Sequence, residues 1–199
     1  MPSTEEMVSE HRSRLLEGMA HAVAAKGYAD TTIADIVREA AVSRRTFYEH
    51  FSTKAGCLVA LYEAASHNAL KVLQGAIDPG HEWQTQIETA LAAYLGAMAQ
   101  SPLLMRTLFV EILGLGTPGL AARRRVNQEI AGFVLGVVNA KPGGGAQPLS
   151  PGMATAIVGG INELVLEYIE QDRIGQLGDL VGPASELVRA VTHAGAKQT

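Results

Sequence analysis

The stretch that most constrains what this chain can fold into is Thr32 to Lys54, TIADIVREAAVSRRTFYEHFSTK. Ile33, Ile36, Val37 and Ala40 recur at three- and four-residue steps, which stacks them on one side of a helix. Thr32 stands where the cap of that helix belongs. The helix has to stop near Ala40 and Ala41, because Ser43 is itself a capping residue for a second helix. Only a few residues are left for the turn, as a helix-turn-helix requires. In the second helix Phe47 and Phe51 lie four apart and share the face that packs, with Val42, against the first. Counting about 100° per residue, the other side carries Arg45, Thr46, Tyr48 and Glu49, with Arg44 and His50 on its flanks.

These residue types suit a DNA duplex. An arginine fork makes paired bonds to the major-groove edge of guanine, and hydroxyls, a histidine and the following Lys54 can hold phosphates. Base edges are read from the first turns of a recognition helix, where Arg44, Arg45 and Thr46 stand behind the capping Ser43. The positive end of the helix favours phosphate nearby. Taken alone, two adjacent arginines are ordinarily a solvated face and two phenylalanines ordinarily core. It is their combination in one capped two-helix unit that points to nucleic acid.

The set Lys26-Gly27-Tyr28, Thr31-Thr32, Ile36, Ala40, Val42-Ser43, Thr46-Phe47-Tyr48, His50-Phe51, Lys54 and Leu58 resembles the tetracycline-repressor (TetR) family of transcriptional regulators, over roughly the first quarter of the chain. The resemblance implies a three-helix DNA-binding head, residues 1–54, on a helical body, residues 55–199, that dimerises and often binds a small molecule. By position it assigns base reading to Arg44, Arg45 and Thr46, and phosphate contacts to Thr32, Tyr48, His50 and Lys54. Two positions depart from the family's habit: Ala41 stands in the turn where glycine is usual, and Arg45 where a small residue is usual. A positive φ at Ala41 would cost about 1 kcal/mol relative to glycine. Arg45 should give this chain an operator of its own.

With 199 residues, 47% of them hydrophobic, the chain can bury a real core. Its net charge of -4 gives no overall nucleic-acid signal, so the basic footprint is local, between Arg38 and Lys54. The single cysteine, Cys57, excludes an internal disulfide and reads as buried filler. No run approaches the roughly 18 apolar residues of a membrane span. The acidic first twenty residues do not form a signal peptide, and a cytoplasmic location is expected. Residues 1–9 are polar and read as loose. A first helix follows, with Leu15, Leu16, Met19, Ala20 and Val23 inward and Gly27 at its stop.

Beyond Lys54 the breaks fall at Asp78-Pro79-Gly80, Ser101-Pro102, Gly114 to Pro118, Lys141 to Gly152 and Gly175 to Gly178. No segment between them alternates with strand period, so the fold class is all-α: a three-helix head and a six-helix body, with KPGGGAQPLSPG as a long flexible loop. The last two helices, within residues 151–194, are the expected homodimer seam. Ile157, Val158, Ile161, Leu164, Val165 and Tyr168 form a wide apolar face there, and Gly159-Gly160 permits a close approach. A mostly apolar effector cavity is expected among Trp83, Tyr94, Met98, Met105, Phe109 and Phe133, with Asn162, Asn127, Glu111 and Arg106 as polar anchors. No catalytic residues, metal ligands or cofactor motif can be assigned: the six histidines form no HExxH, and Gly143 to Gly145 lacks the Lys-Ser/Thr of a phosphate loop. The expected partners are therefore a palindromic double-stranded DNA operator, a second copy of the chain and an apolar small molecule. The alternative is an apolar-ligand binding protein or enzyme with a purely structural head.

Overall fold

The computed structural model describes residues 4–140 and 148–193. Among them the chain forms nine α-helices, two 3-10 turns and no strand. The helices are α1 (Thr4–Asp30), α2 (Ile33–Glu39), α3 (Arg44–His50), α4 (Lys54–Gly75), α5 (Trp83–Ala99), α6 (Pro102–Phe109), α7 (Thr117–Asn139), α8 (Pro151–Glu170) and α9 (Val181–His193). The 3-10 turns are Glu111–Leu115 and Ile174–Leu180. Three helices precede Lys54 and six start from it, as the periodicity predicts. The expected loose start is corrected: no glycine or proline interrupts residues 4–17, and α1 is helical from Thr4.

By packing, the chain forms two compact units. One runs to Ser66 and takes in Leu103–Arg123; the other comprises His67–Pro102 and the residues from Arg124 onward. Packing does not draw the boundary expected after residue 54: α4 continues in the first unit to Ser66, and α6 from Leu103 and the turn after it belong there too.

In the first unit Leu15, Met19 and Val23 of α1, Ile36 and Ala40 of α2, Phe47 and Phe51 of the α3 region and Cys57 and Leu58 of α4 are buried. Each large side chain removed from water contributes about 1.5–3 kcal/mol. Gly27 breaks α1 as expected, at φ 79°, although a further helical turn follows to Asp30. Thr31 donates its hydroxyl back to Gly27 O at 2.7 Å. At Gly18 the backbones of α1 and the α2 region approach closely: a Cβ there would meet Ile36 O at 2.6 Å and Ala40 N at 2.9 Å.

In the second unit α5, α8, α9 and the turn 174–180 pack on one another. Ile157, Val158, Ile161 and Val165, assigned from sequence to a dimer seam, are buried within their own chain. Of the adjacent glycines, Gly160 faces α9, where a Cβ would come within 2.8 Å of Leu187 Cδ2, and Gly159 is exposed to open space. The expected flexible loop falls largely on residues 141–147, outside the described residues. On either side of them Asn139 donates Nδ2 to Leu149 O at 3.0 Å and accepts from Leu149 N at 2.8 Å.

Candidate nucleic-acid interface and ligand cavity

Helix α2 begins in a capping box. Thr32 Oγ1 accepts from Asp35 N, and the Asp35 carboxylate accepts from Thr32 N at 2.9 Å and from the Thr32 hydroxyl at 2.6 Å. The same carboxylate pairs with Lys26 at 2.5 Å and with Arg38 at 3.2 Å. The Lys26 bond above all, then those from Thr32, hold the Asp35 carboxyl well below the usual carboxylate range. The resemblance implies a phosphate contact for Thr32, whose hydroxyl here donates to Asp35.

The turn does require the left-handed region, with Ala41 at φ 48°. What offsets the strain is outside the motif: Arg14 Nη2 donates to Ala41 O at 2.7 Å, so an arginine of α1 grips the turn. Arg12 stacks its guanidinium 5.0 Å from the centre of the Phe51 ring. Neither role was legible from the arginines' positions.

Ser43 caps α3, accepting from Thr46 N at 3.0 Å, and its hydroxyl shares a 2.9 Å bond with that of Thr46. Phe47 is fully buried and stands edge-on to Tyr48, 5.5 Å between ring centres. Tyr48, the next residue, is 52% exposed. Arg44 is exposed and has no partner among the described residues. Arg45, its side chain 89% exposed, is held only by Glu49 at 3.1 Å, one turn on. His50 is half-buried; burial lowers its pKa, and neighbouring His11 and Arg12 lower it further against Glu49. It therefore offers a phosphate an N–H and not a cation at neutral pH.

Lys54 is the clearest departure from the expected set. Its ammonium donates to Tyr28 O at 2.8 Å, Thr31 O at 2.7 Å and Ala29 O at 3.4 Å, and lies 4.2 Å from the centre of the Tyr28 ring. With its donors on these carbonyls, Lys54 ties the end of α1 to the start of α4. Glu111, expected as a ligand anchor, instead accepts from Tyr28 N at 3.0 Å within this first unit.

The cavity lies wholly in the second unit. Trp83, Tyr94, Phe133 and Asn162 line it, joined by aliphatic side chains such as Leu73, Ile87 and Val134. Met98 is buried but does not line it, and Met105, Arg106 and Phe109 fall in the first unit. Helical periodicity marks an inward face without saying which unit it faces. Asn162 is buried and donates Nδ2 to Asn127 Oδ1 at 3.1 Å, tying α8 to α7.

A capped, close-packed pair of short helices that turns an arginine- and tyrosine-bearing surface outward is a helix-turn-helix, the motif that DNA readers use. The comparisons with known proteins bear on this motif and on the fold. Residues 15–61 match the family model of the bacterial regulatory proteins, tetR family. The chain is 32% identical over 76 residues to an uncharacterized HTH-type transcriptional regulator, YxbF, of Bacillus subtilis (strain 168); this is 38% of the chain but spans only 20% of that relative's length. In fold it resembles the fatty acid degradation regulator FadR of Bacillus halodurans, with TM-score 0.76, 16% identity, and 89% and 94% of the two chains covered. It also resembles FadR of Bacillus subtilis in complex with stearoyl-CoA, with TM-score 0.67, 17% identity, and 88% and 96% covered. The match to the tetR-family model is thus confined to residues 15–61, the segment that holds the helix-turn-helix, and the likeness to the solved structures is one of fold. Among the described residues no helix is long and apolar enough to cross a membrane.

Proposed function

We propose that the chain is a ligand-responsive repressor which binds a palindromic operator as a homodimer and leaves it when a small apolar molecule enters the second unit. The observation that carries this reading is the unpartnered Arg44 beside exposed Tyr48, presented on a capped and buried scaffold. Arg44, Arg45 and Thr46 read base edges. The exposed Arg45–Glu49 pair is worth about 0–1 kcal/mol, which a guanine edge readily replaces. Ser43, Tyr48 and His50 contact phosphates, while Thr32 and Lys54 position the helices. One short helix reads only a few base pairs, so two copies related by a two-fold axis are needed for a specific site.

The seam we assign to α8 and α9, within residues 151–194, uses the side that remains exposed, including Met153, Ala156 and Gly159. The almost wholly hydrocarbon lining of the cavity supports an apolar effector. Helix α4 begins at Lys54 and carries Leu73 of the cavity wall near its end, so a ligand that shifts α4 acts on the head. To switch the protein, the ligand has to favour the released geometry by roughly 2–3 kcal/mol. The reading implies a cytoplasmic protein.

The test is fluorescence anisotropy with duplexes from the region upstream of the gene. Wild-type binding should be sequence-specific and weaken as salt rises, and Arg44→Ala should cost about 1–3 kcal/mol. Tyr48→Phe should weaken binding on all sequences alike. Wild-type affinity in both variants rejects the contacts; weak, sequence-blind binding by the wild type rejects the function.

A further inference from the structure

The cavity in the second unit offers a ligand almost nothing but hydrocarbon. Its described lining carries no charged side chain, and its only amide is Asn162. Trp83 and Tyr94, which also have polar atoms, already interact with neighbours. Asn162 differs from both. Its nitrogen is directed at Asn127 Oδ1, and this bond orients the amide so that the carbonyl oxygen, Asn162 Oδ1, accepts from no group among the described residues. An amide oxygen in apolar surroundings remains unfavourable until a donor reaches it.

We propose that this cavity is built for an uncharged hydrocarbon bearing a hydroxyl group, which donates its proton to Asn162 Oδ1 while the hydrocarbon fills the space between α5, α7 and α8. The inference rests on the ligand-binding reading above and narrows it. A carboxylate brings only lone pairs to Oδ1 and an uncompensated charge to a hydrocarbon wall. A ketone matches the apolar surface but again presents an acceptor to an acceptor. Asn127 acts as a positioning residue, since it decides which end of the Asn162 amide faces the ligand.

Trp83 is the sole tryptophan and lines the cavity, so its emission reports occupancy directly. The full chain is titrated near neutral pH with 1-nonanol, 2-nonanone, nonanoate and nonanoyl-CoA, and the alcohol and ketone are repeated on Asn162→Leu. The alcohol should bind roughly fivefold tighter than the ketone, the effect of one net hydrogen bond, and neither anionic compound should saturate. In Asn162→Leu the alcohol-to-ketone ratio should fall to near one; a ratio taken within each protein is insensitive to a change in overall stability. The wild-type series decides by itself if the variant does not fold. Equal affinity for alcohol and ketone, or tightest binding by nonanoate or its thioester, overturns the hydroxyl reading and leaves the cavity as a ligand site. No change in Trp83 emission or thermal midpoint with any of the four overturns the ligand-binding reading itself.

Discussion

Gly18 and Gly132 are indistinguishable in helical propensity, yet replacing each with alanine should move stability in opposite directions. Gly132 of α7 is exposed and has nothing within 4 Å of an added Cβ. Gly132→Ala therefore gains the propensity difference of about 0.8–1.0 kcal/mol. Gly18 of α1 is buried, and its added Cβ would lie 2.6 Å from Ile36 O, 2.9 Å from Ala40 N and 3.0 Å from Ala40 Cβ. The first two are backbone atoms of α2 that no rotamer can move aside. Restoring ordinary contact means shifting α2 along its length, and overpacking of this kind costs about 1–3 kcal/mol. Set against the same propensity gain, Gly18→Ala should destabilise by about 1–2 kcal/mol, near the upper part of that range because the obstruction is main chain. For a chain of this size each kcal/mol moves the thermal midpoint by roughly 2–4 °C. Thermal unfolding of wild type and both variants at one protein concentration, followed by circular dichroism, checks the signs. A Gly18→Ala protein as stable as Gly132→Ala would refute the claim that α1 and α2 meet through this residue.

Three other perturbations follow from the same geometry. Lys54→Met removes the donors that hold Tyr28, Ala29 and Thr31 carbonyls and should lower stability in urea by about 1–2 kcal/mol; unchanged stability with weakened DNA binding would instead make Lys54 a phosphate ligand. Cys57 is fully buried and its thiol is pushed up to about 12, chiefly by burial, so a thiol-directed disulfide reagent at mildly alkaline pH should modify it only on unfolding; prompt reaction of the folded protein would contradict that burial. The Asp35 carboxyl titrates lower in the folded chain than the roughly 3.9 of a free aspartate, so its contribution is complete above that value and is lost as pH falls below it. The acid-induced loss of stability below about pH 4 should be smaller in Asp35→Asn than in wild type, and parallel curves would remove Asp35 from the account.

What the sequence makes legible here is mostly local. Thr32 and Ser43 cap their helices because the groups they satisfy lie three residues on, and Phe47 and Phe51 are inward because four residues complete a turn. Ala41 fits its strained φ for a reason that local reading cannot supply, since the carbonyl it exposes is held by Arg14, 27 residues earlier. Of the aromatic and methionine side chains expected around a cavity, Trp83, Tyr94 and Phe133 line this one and Met98, Met105 and Phe109 do not, because an apolar face does not say which neighbour it meets.

Charge follows the same division. The head's cations are plain in the sequence, but their destinations are tertiary: Arg12 on Phe51, Arg14 on Ala41 O, Lys26 and Arg38 on Asp35, Lys54 on the carbonyls of Tyr28, Ala29 and Thr31. Arg45 is held by one exposed partner, and Arg44 has none among the described residues. A basic count from Arg12 to Lys54 therefore overstates the charge available to phosphates. Non-specific affinity grows with each phosphate neutralised, so under the proposed reading the pairing of Lys26 and Arg38 with Asp35 should lower the head's affinity for random DNA and leave a larger share to base edges.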